Sequence, residues 1–416
     1  VYEIVLTQEG ENSMPSRRTA RALFSTLVVL FTLAAQCSAL AIPQTITEKF
    51  VETVAVDRER DKVVKTVVVE VDPQVIVRAA ALPPEETLFF DISLQDVPTL
   101  DPSLAQDTSA IDAGVELFPG LIRLHEETGE VEPGMATEWE VSDDGLVYTF
   151  HLRDDVPWVK FNNTTGEVEQ IQDDEGNIRM VNARDFVYGV KRSLDPQTGS
   201  PYAYVNWIIK NAGAVNGRNG EDAPLFGDLD AIGVEALDDF TVQYTLEDPA
   251  AFFVSIASMW INWAQPQWLI EEKGERWIEP GFIQSYGPYV LFDWTHDVSI
   301  TFIANPFWPG TQAIPQPSIK YVHGVFLDAP AAFTNYEAGL LDKTQVPLAE
   351  IDRIKADPEL SQELNIYPNT CTYYYGFNVT KPPFDDVNVR KAFSWAIDRT
   401  ALMENVTKSG QEPARW

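Results

Sequence analysis

The stretch CTYYYGFNVTKPPFDDVNVRKAFSWAIDR, Cys371 to Arg399, passes from strand to turn to helix. Thr372 to Val379 is β-branched and aromatic with alternating faces, the pattern of a strand. Lys381-Pro382-Pro383-Phe384 stops a sheet ladder, because proline has no amide hydrogen to give it. Asp385 and Asp386 then offer cap carboxylates, and Val389, Ala392, Phe393 and Ala396 fall on one helical face. Strand, hard turn and helix in this order predict α/β structure.

Upstream, the same periodicities recur. Glu86 to Phe118 reads as a strand, a turn at Leu100-Asp101-Pro102 and a helix through Val115-Glu116-Leu117-Phe118. Leu146 to Leu152 and Thr241 to Leu246 alternate as strands, and Asp185 to Ser193 reads as a helix preceded by Asn182. Val159 to Val181, with Asn162-Asn163 and Asp173-Asp174-Glu175-Gly176, is expected to be a surface loop insertion. Helices are expected over Phe252 to Trp260, Pro266 to Lys273 and Pro330 to Leu340, the last with Phe333, Tyr336 and Leu340 on one face. Strands are expected over Tyr289 to Phe292 and Ser299 to Ile303.

At 416 residues the chain can bury a large core and form two or more lobes. A hydrophobic share of 45% makes most of it globular rather than disordered. The 63 acidic against 30 basic residues give a formal charge of -33, which repels nucleic acid phosphates and anionic lipid headgroups. That surface suits a soluble exported protein; a preference for cationic peptides would require acids at the binding cleft. Two cysteines, Cys37 and Cys371, exclude a disulfide-rich scaffold and a CxxC zinc site. The four histidines, His125, His151, His296 and His323, lack metal-site spacing, and no nucleophile elbow or phosphate loop occurs. The pairs Asp143-Asp144, Asp154-Asp155 and Asp238-Asp239 read as turn or helix caps rather than catalytic dyads. No metal, cofactor or enzymatic activity is expected.

The first 41 residues read as upstream residues plus a signal peptide. Met14 precedes Arg17, Arg18 and Arg21 and then an apolar run from Ala22 to Ala35, and Val1 to Ser13 are expected to be upstream translation. Two processing readings stand together. Leu33-Ala34-Ala35-Gln36-Cys37 resembles a lipobox that would acylate Cys37, and Ala39-Leu40-Ala41 offers an ordinary cleavage site. Residues 42–84 are charged and valine-rich, as in Lys62-Val63-Val64-Lys65-Thr66-Val67-Val68-Val69, and read as an extended stalk or a helical spacer, with β-branching favouring the former.

The Cys371 to Arg399 segment resembles the PPF(D/N)DVRVRxAxxxAIDR block of the bacterial extracellular solute-binding proteins of family 5. Further matches occur in family order: Leu100-Asp101-Pro102, Glu132 to Trp139 (EPGMATEW), Tyr148 to Arg153 (YTFHLR), Asn182 to Tyr188 (NARDFVY), Leu194-Asp195-Pro196, Ser200-Pro201-Tyr202-Ala203 and Tyr286-Gly287-Pro288-Tyr289. The resemblance runs from about Glu85 to Trp416. It implies a periplasmic-binding-protein-like type II (cluster C) α/β fold with mixed-sheet lobes. Lobe I would be discontinuous (85–118 and 248–370), lobe II an extra β-rich lobe (119–247), and 371–416 the start of an incomplete lobe III.

The function implied is the extracytoplasmic binding component of an ABC importer. It would capture oligopeptides by lobe closure, as a monomer, and deliver them to membrane permease subunits. Other ligands known in the family are dipeptides, nickel chelates, haem and oligosaccharides, and a peptide-sensing receptor or chaperone is a further alternative. A binder that accepts many peptides should hydrogen-bond the constant backbone and line its side-chain pockets with aromatic groups. By resemblance, Gln106, Asp107 and Thr108 match a segment that pairs as a strand with the peptide, Gln106 standing where a relative carries glutamate. Tyr202 and Tyr374 match cleft tyrosines, and Gly376 stands where a relative has glutamate. Tyr286 and Tyr289 are expected to pack around their turn. The resemblance also implies that Cys371 is half of a disulfide, the alternative being a buried free thiol. The residues that bind both peptide termini are expected beyond Trp416, so this chain alone should bind weakly.

Overall fold

The structure, a computed structural model, describes residues 2–7, 50–56, 63–69, 82–125, 128–368, 372–408 and 410–414. Contacts divide the chain into two units, residues 10–87 and residues 1–9 with 88–416. In the first, β2 (Phe50–Val56) and β3 (Val63–Val69) pair antiparallel, with Phe50 opposite Val69. Residues 50–56 and 63–69 of the valine-rich stretch are therefore extended, as β-branching favours, and pair with each other. Residues 14–41, where a signal peptide is expected, and Cys37 and Cys371 lie outside the described residues.

The second unit is built on a seven-stranded mixed sheet. Its strands are β1 (Tyr2–Thr7), β4 (Thr87–Ser93), β13 (Tyr289–Thr295), β14 (Ser299–Ala304), β15 (Tyr321–Phe326), β16 (Lys343–Gln345) and β17 (Leu364–Pro368). They lie in the order β13-β14-β15-β4-β16-β1-β17. β4 thus sits between strands more than two hundred residues downstream, parallel to β16 with Lys343 opposite Phe90. Residues 2–7, expected to lie upstream of the protein, form β1 and pair with both β16 and β17.

A four-stranded antiparallel sheet arises from the intervening chain. It is ordered β11-β12-β8-β7, from β7 (Ala136–Val141), β8 (Val147–Leu152), β11 (Val234–Asp238) and β12 (Thr241–Thr245). β8 buries every second residue, Tyr148, Phe150 and Leu152, as its sequence alternation requires. The same stretch of chain forms two separate hairpins, β5 (Ile122–Leu124) with β6 (Val131–Pro133) and β9 (Val159–Asn162) with β10 (Glu167–Gln170). The region 159–181, expected as a surface loop, therefore opens with a packed hairpin over 159–170 and continues through isolated bridges at Gln172–Ile178 and Pro157–Met180. Its apolar residues explain the difference: Val159 and Phe161 pack with Val290 and Ile303, and Phe161 meets Phe292 at 4.7 Å between ring centroids. Val159 and Ser285 exchange main-chain hydrogen bonds of 2.8 and 2.9 Å, which ties the hairpin to the turn before β13.

The five longest helices among the described residues are α1 (Thr108–Leu117), α2 (Ala183–Leu194), α3 (Gln267–Lys273), α4 (Ala329–Glu337) and α5 (Val387–Ala396). α2 starts with a capping box, Asn182 accepting from Arg184 N and Asp185 accepting from Asn182 N. In α4, Phe333 and Tyr336 are buried as expected, but the helix ends before Leu340, which is exposed.

The region 372–399 departs most from expectation. Asp386 caps α5 through a 2.7 Å bond from Asn388 N, yet residues 372–378 form no strand, and Tyr373, Tyr374 and Tyr375 all lie open. Alternation shows which faces a strand would have but supplies no partner. Among the described residues nothing pairs with this segment, so no ladder forms. Phe377, Phe384 and Phe393 cluster instead, at 4.8 to 5.9 Å.

The main core holds Trp158, Trp277 and Trp308 with essentially no exposure. A buried indole needs an acceptor, and two of the sequence blocks supply one. Trp158 Nε1 donates to Asp185 (3.0 Å) and Trp277 Nε1 to Asp101 (3.0 Å). Gly134 and Gly287 are packing requirements as well. A Cβ on Gly134 would stand 2.5 Å from Gly120 O, and one on Gly287 would collide with the main chain of Glu116 and Leu117.

Candidate functional site

Asp101 fixes the segment that resembles a ligand strand. Arg192 grips its carboxylate with both guanidinium nitrogens, at 2.7 and 2.6 Å, Trp277 adds its indole bond, and Ser103 N donates at 2.9 Å. The pair is largely buried, where a forked, fully hydrogen-bonded geometry is needed to offset desolvation. Leu104 N and Ala105 N bond back to Asp101 O, and the chain leaves this turn at Ala105 toward Gln106.

Gln106 is exposed. Asp107 is extended (φ -112°, ψ 161°) and caps α1, its Oδ1 accepting from Ala110 N at 3.0 Å and from Ser109 Oγ at 2.5 Å. Its other oxygen, Oδ2, is buried without a hydrogen-bond partner. Thr108 is already the first residue of α1. The expected strand-like segment is therefore shorter than the sequence match, because the cap at Asp107 commits Thr108 and its successors to helix.

Trp260 links this segment to Tyr202. Its Nε1 donates to Ala105 O at 2.9 Å, and its ring meets Tyr202 edge to face, 4.9 Å between centroids at 64°. Tyr202 in turn stacks on Tyr204 at 5.8 Å and 29°. The structure thus brings Gln106 and Asp107 near Tyr202 through Trp260. Tyr374 and Gly376 belong to the open segment 372–378: Tyr374 is 79% exposed, and a Cβ on Gly376 would meet only the Tyr374 ring, at 3.9 Å. Trp260 and Tyr204 were missed by sequence reasoning. Nothing in the sequence separates Trp260 from the buried Trp263 three residues on, whereas Tyr204, two residues from Tyr202, could have been found by its proximity.

The other chemistry-bearing groups are structural. Tyr286 is fully buried, donating to Pro119 O (3.0 Å) and accepting from Ala264 N (3.2 Å), and Tyr289 donates to Ile319 O (3.0 Å), so both pack as expected. Asp144 and Asp238 cap turns through Leu146 N and Phe240 N, while Asp155 and Asp239 pair with Arg153 and Arg184. His323 is buried against Thr301 Oγ1 at 2.8 Å, and burial pushes its imidazole pKa down. His296 sits between Asp96 (2.7 Å) and Glu279 (3.4 Å). Burial opposes its charge, but hydrogen bonds to the two carboxylates outweigh it and raise its pKa. Among the described residues no group of three His, Cys, Asp or Glu is arranged to hold a metal ion, and no helix is long and apolar enough to cross a membrane.

Residues 130–415 match the family model of the bacterial extracellular solute-binding proteins, family 5 Middle. The chain belongs to that family. It is 32% identical over 313 residues to the probable deoxycholate-binding periplasmic protein YgiS of Escherichia coli K12, covering 75% of this chain and 53% of that protein. It is 31% identical over 323 residues to the periplasmic oligopeptide-binding protein OppA of the same organism, covering 77% and 54%. Among solved structures, Burkholderia pseudomallei OppA superposes with a TM-score of 0.66 at 27% identity, and the E. coli murein tripeptide binding protein MppA with 0.65 at 30%. In both cases 80% of this chain and 60% of the other are covered. The fold is the type II periplasmic-binding-protein fold, and these relatives are binding proteins. The chain spans about half the length of the curated relatives it matches.

Proposed function

We propose that this chain is part of an extracytoplasmic solute-binding component of an ABC importer, and that its ligands are oligopeptides handed to a membrane permease. The observation that carries the reading is the Ala105 to Asp107 segment, extended at Asp107, held from below by the Asp101–Arg192 pair and flanked by the Trp260–Tyr202 aromatic contact. Ala105 is committed to Asp101 and Trp260, and Asp107 O to the helix, so the segment offers the main chain of Gln106 and the amide of Asp107 to a peptide of any sequence, with an apolar wall beside them. In this reading 85–118 with 248–370 forms lobe I, 119–247 lobe II and 371–416 the beginning of lobe III. The composition of the two larger sheets supports the first two. The ligand contacts are Gln106, Asp107, Tyr202 and, once its segment finds a partner, Tyr374 beside Gly376. The protein acts as a monomer, without catalysis, outside the cytoplasmic membrane. It is either anchored through Cys37 or released after Ala41.

The test is the thermal midpoint of this chain, and of the longest gene product containing it, with a pool of tri- to pentapeptides. Saturation a hundredfold above Kd adds about 2.7 kcal/mol and moves the midpoint by several degrees. A folded protein whose midpoint ignores peptides in both forms refutes the reading. A second reading, an apolar ring-system ligand, draws on the name of the deoxycholate-binding relative. A shift with deoxycholate and none with peptides would establish it instead.

A further inference from the structure

We infer that Tyr204 is the outer face of a ring-stacking subsite that favours peptides bearing an aromatic side chain. The inference deepens the peptide-binding reading and rests on it. Tyr204 lies on a short 3-10 helix, Ala203–Ile208, stacked on Tyr202 on one side and 56% exposed. An exposed tyrosine on a loose turn would mean little. Here both carriers of the aromatic cluster are locked together from within: Asn206, on the helix of Tyr204, and Asn262, on the turn of Trp260, exchange amide hydrogen bonds of 3.1 and 3.3 Å. Both asparagines are fully buried, and Asn262 Nδ2 also donates to Ile256 O at 2.8 Å.

Trp260 Nε1 binds Ala105 O, so the three rings form one cluster, Trp260 edge to face on Tyr202 and Tyr202 stacked on Tyr204, seated beside the extended segment and fixed before any ligand arrives. A preformed site avoids the ordering cost of binding. The Tyr202–Tyr204 stack has an offset geometry that a third ring continues through the open face of Tyr204, with quadrupole complementarity an aliphatic side chain lacks. The face therefore discriminates by ring character, not by size alone.

The experiment measures calorimetric Kd values for trialanine and for trialanines carrying Trp or Leu at each position in turn. The proteins are wild type, Tyr204→Ala and Tyr204→Phe, in the longest gene product containing this chain. The expected result is one position at which Trp binds about fivefold tighter than Leu. That ratio should persist in Tyr204→Phe and fall to about one in Tyr204→Ala. Peptides that bind with no Trp preference at any position, or a preference that survives in Tyr204→Ala, overturn the inference while leaving the peptide reading intact. Failure of every peptide, trialanine included, to bind the folded wild type removes the peptide reading and this inference with it.

Discussion

A single oxygen of Asp185 accepts both the Trp158 indole and the main-chain amide of Asn182, so one carboxylate serves the core and the start of α2. Burial raises its pKa from 3.8 to about 6, against the pull of those two hydrogen bonds. The folded chain therefore holds this proton more tightly than the unfolded one. The resulting stability is fully present below about pH 3.8 and is lost as pH rises through about 6, a change on the order of 3 kcal/mol. Asp185→Asn stays neutral throughout, and its amide oxygen can still accept both bonds. Urea unfolding at pH 4, 5, 6 and 7 should show the variant gaining on the wild type by about that amount across the window. Parallel curves for the two proteins would contradict the assignment. Asp185 stood out in the sequence as part of a helix start, but the indole it satisfies, 27 residues upstream, did not.

At the scale of elements, what was legible depended on whether the signal is local. α2 is readable because its cap and its apolar face both lie within it, and β8 and β12 because alternation marks a half-buried surface. The β9–β10 hairpin was taken for a loop because its acids and turn residues outnumber Val159 and Phe161, whose partners Val290 and Ile303 are far along the chain. Residues 372–379 failed in the opposite sense, with a strong strand pattern and no neighbour to complete it. The candidate site follows the same rule: Gln106, Asp107 and Tyr202 are proposed from resemblance alone, whereas Trp260 acquires meaning only through its bond to Ala105. The hairpin's anchorage is testable. Phe161→Ala empties a buried ring site against Phe292 and should cost about 3 kcal/mol in denaturant unfolding. A loss below about 0.5 kcal/mol would mean that the hairpin is a surface appendage after all.

Across the whole molecule, 63 acidic residues face 30 basic ones, and many of the ion pairs lie exposed, where each contributes little. Self-repulsion at a charge of -33 then opposes the compact state, and salt screens it over about 10 Å at 0.1 M. The thermal midpoint should rise by several degrees between about 20 mM and about 500 mM sodium chloride; a flat or falling midpoint would show that surface repulsion is not a significant term. The mixed sheet has a different consequence, in time instead of energy. Phe89 N bonds the carboxylate of Asp342, 253 residues away, and β4 rests between β15 and β16. While the chain is being synthesised, β4 emerges early and waits, unpaired on both sides, until nearly the last of its sheet has left the ribosome. Long-range closure of this kind folds slowly. For a newly made chain, that delay is an interval in which an unfinished sheet stays open to chaperones before the fold locks.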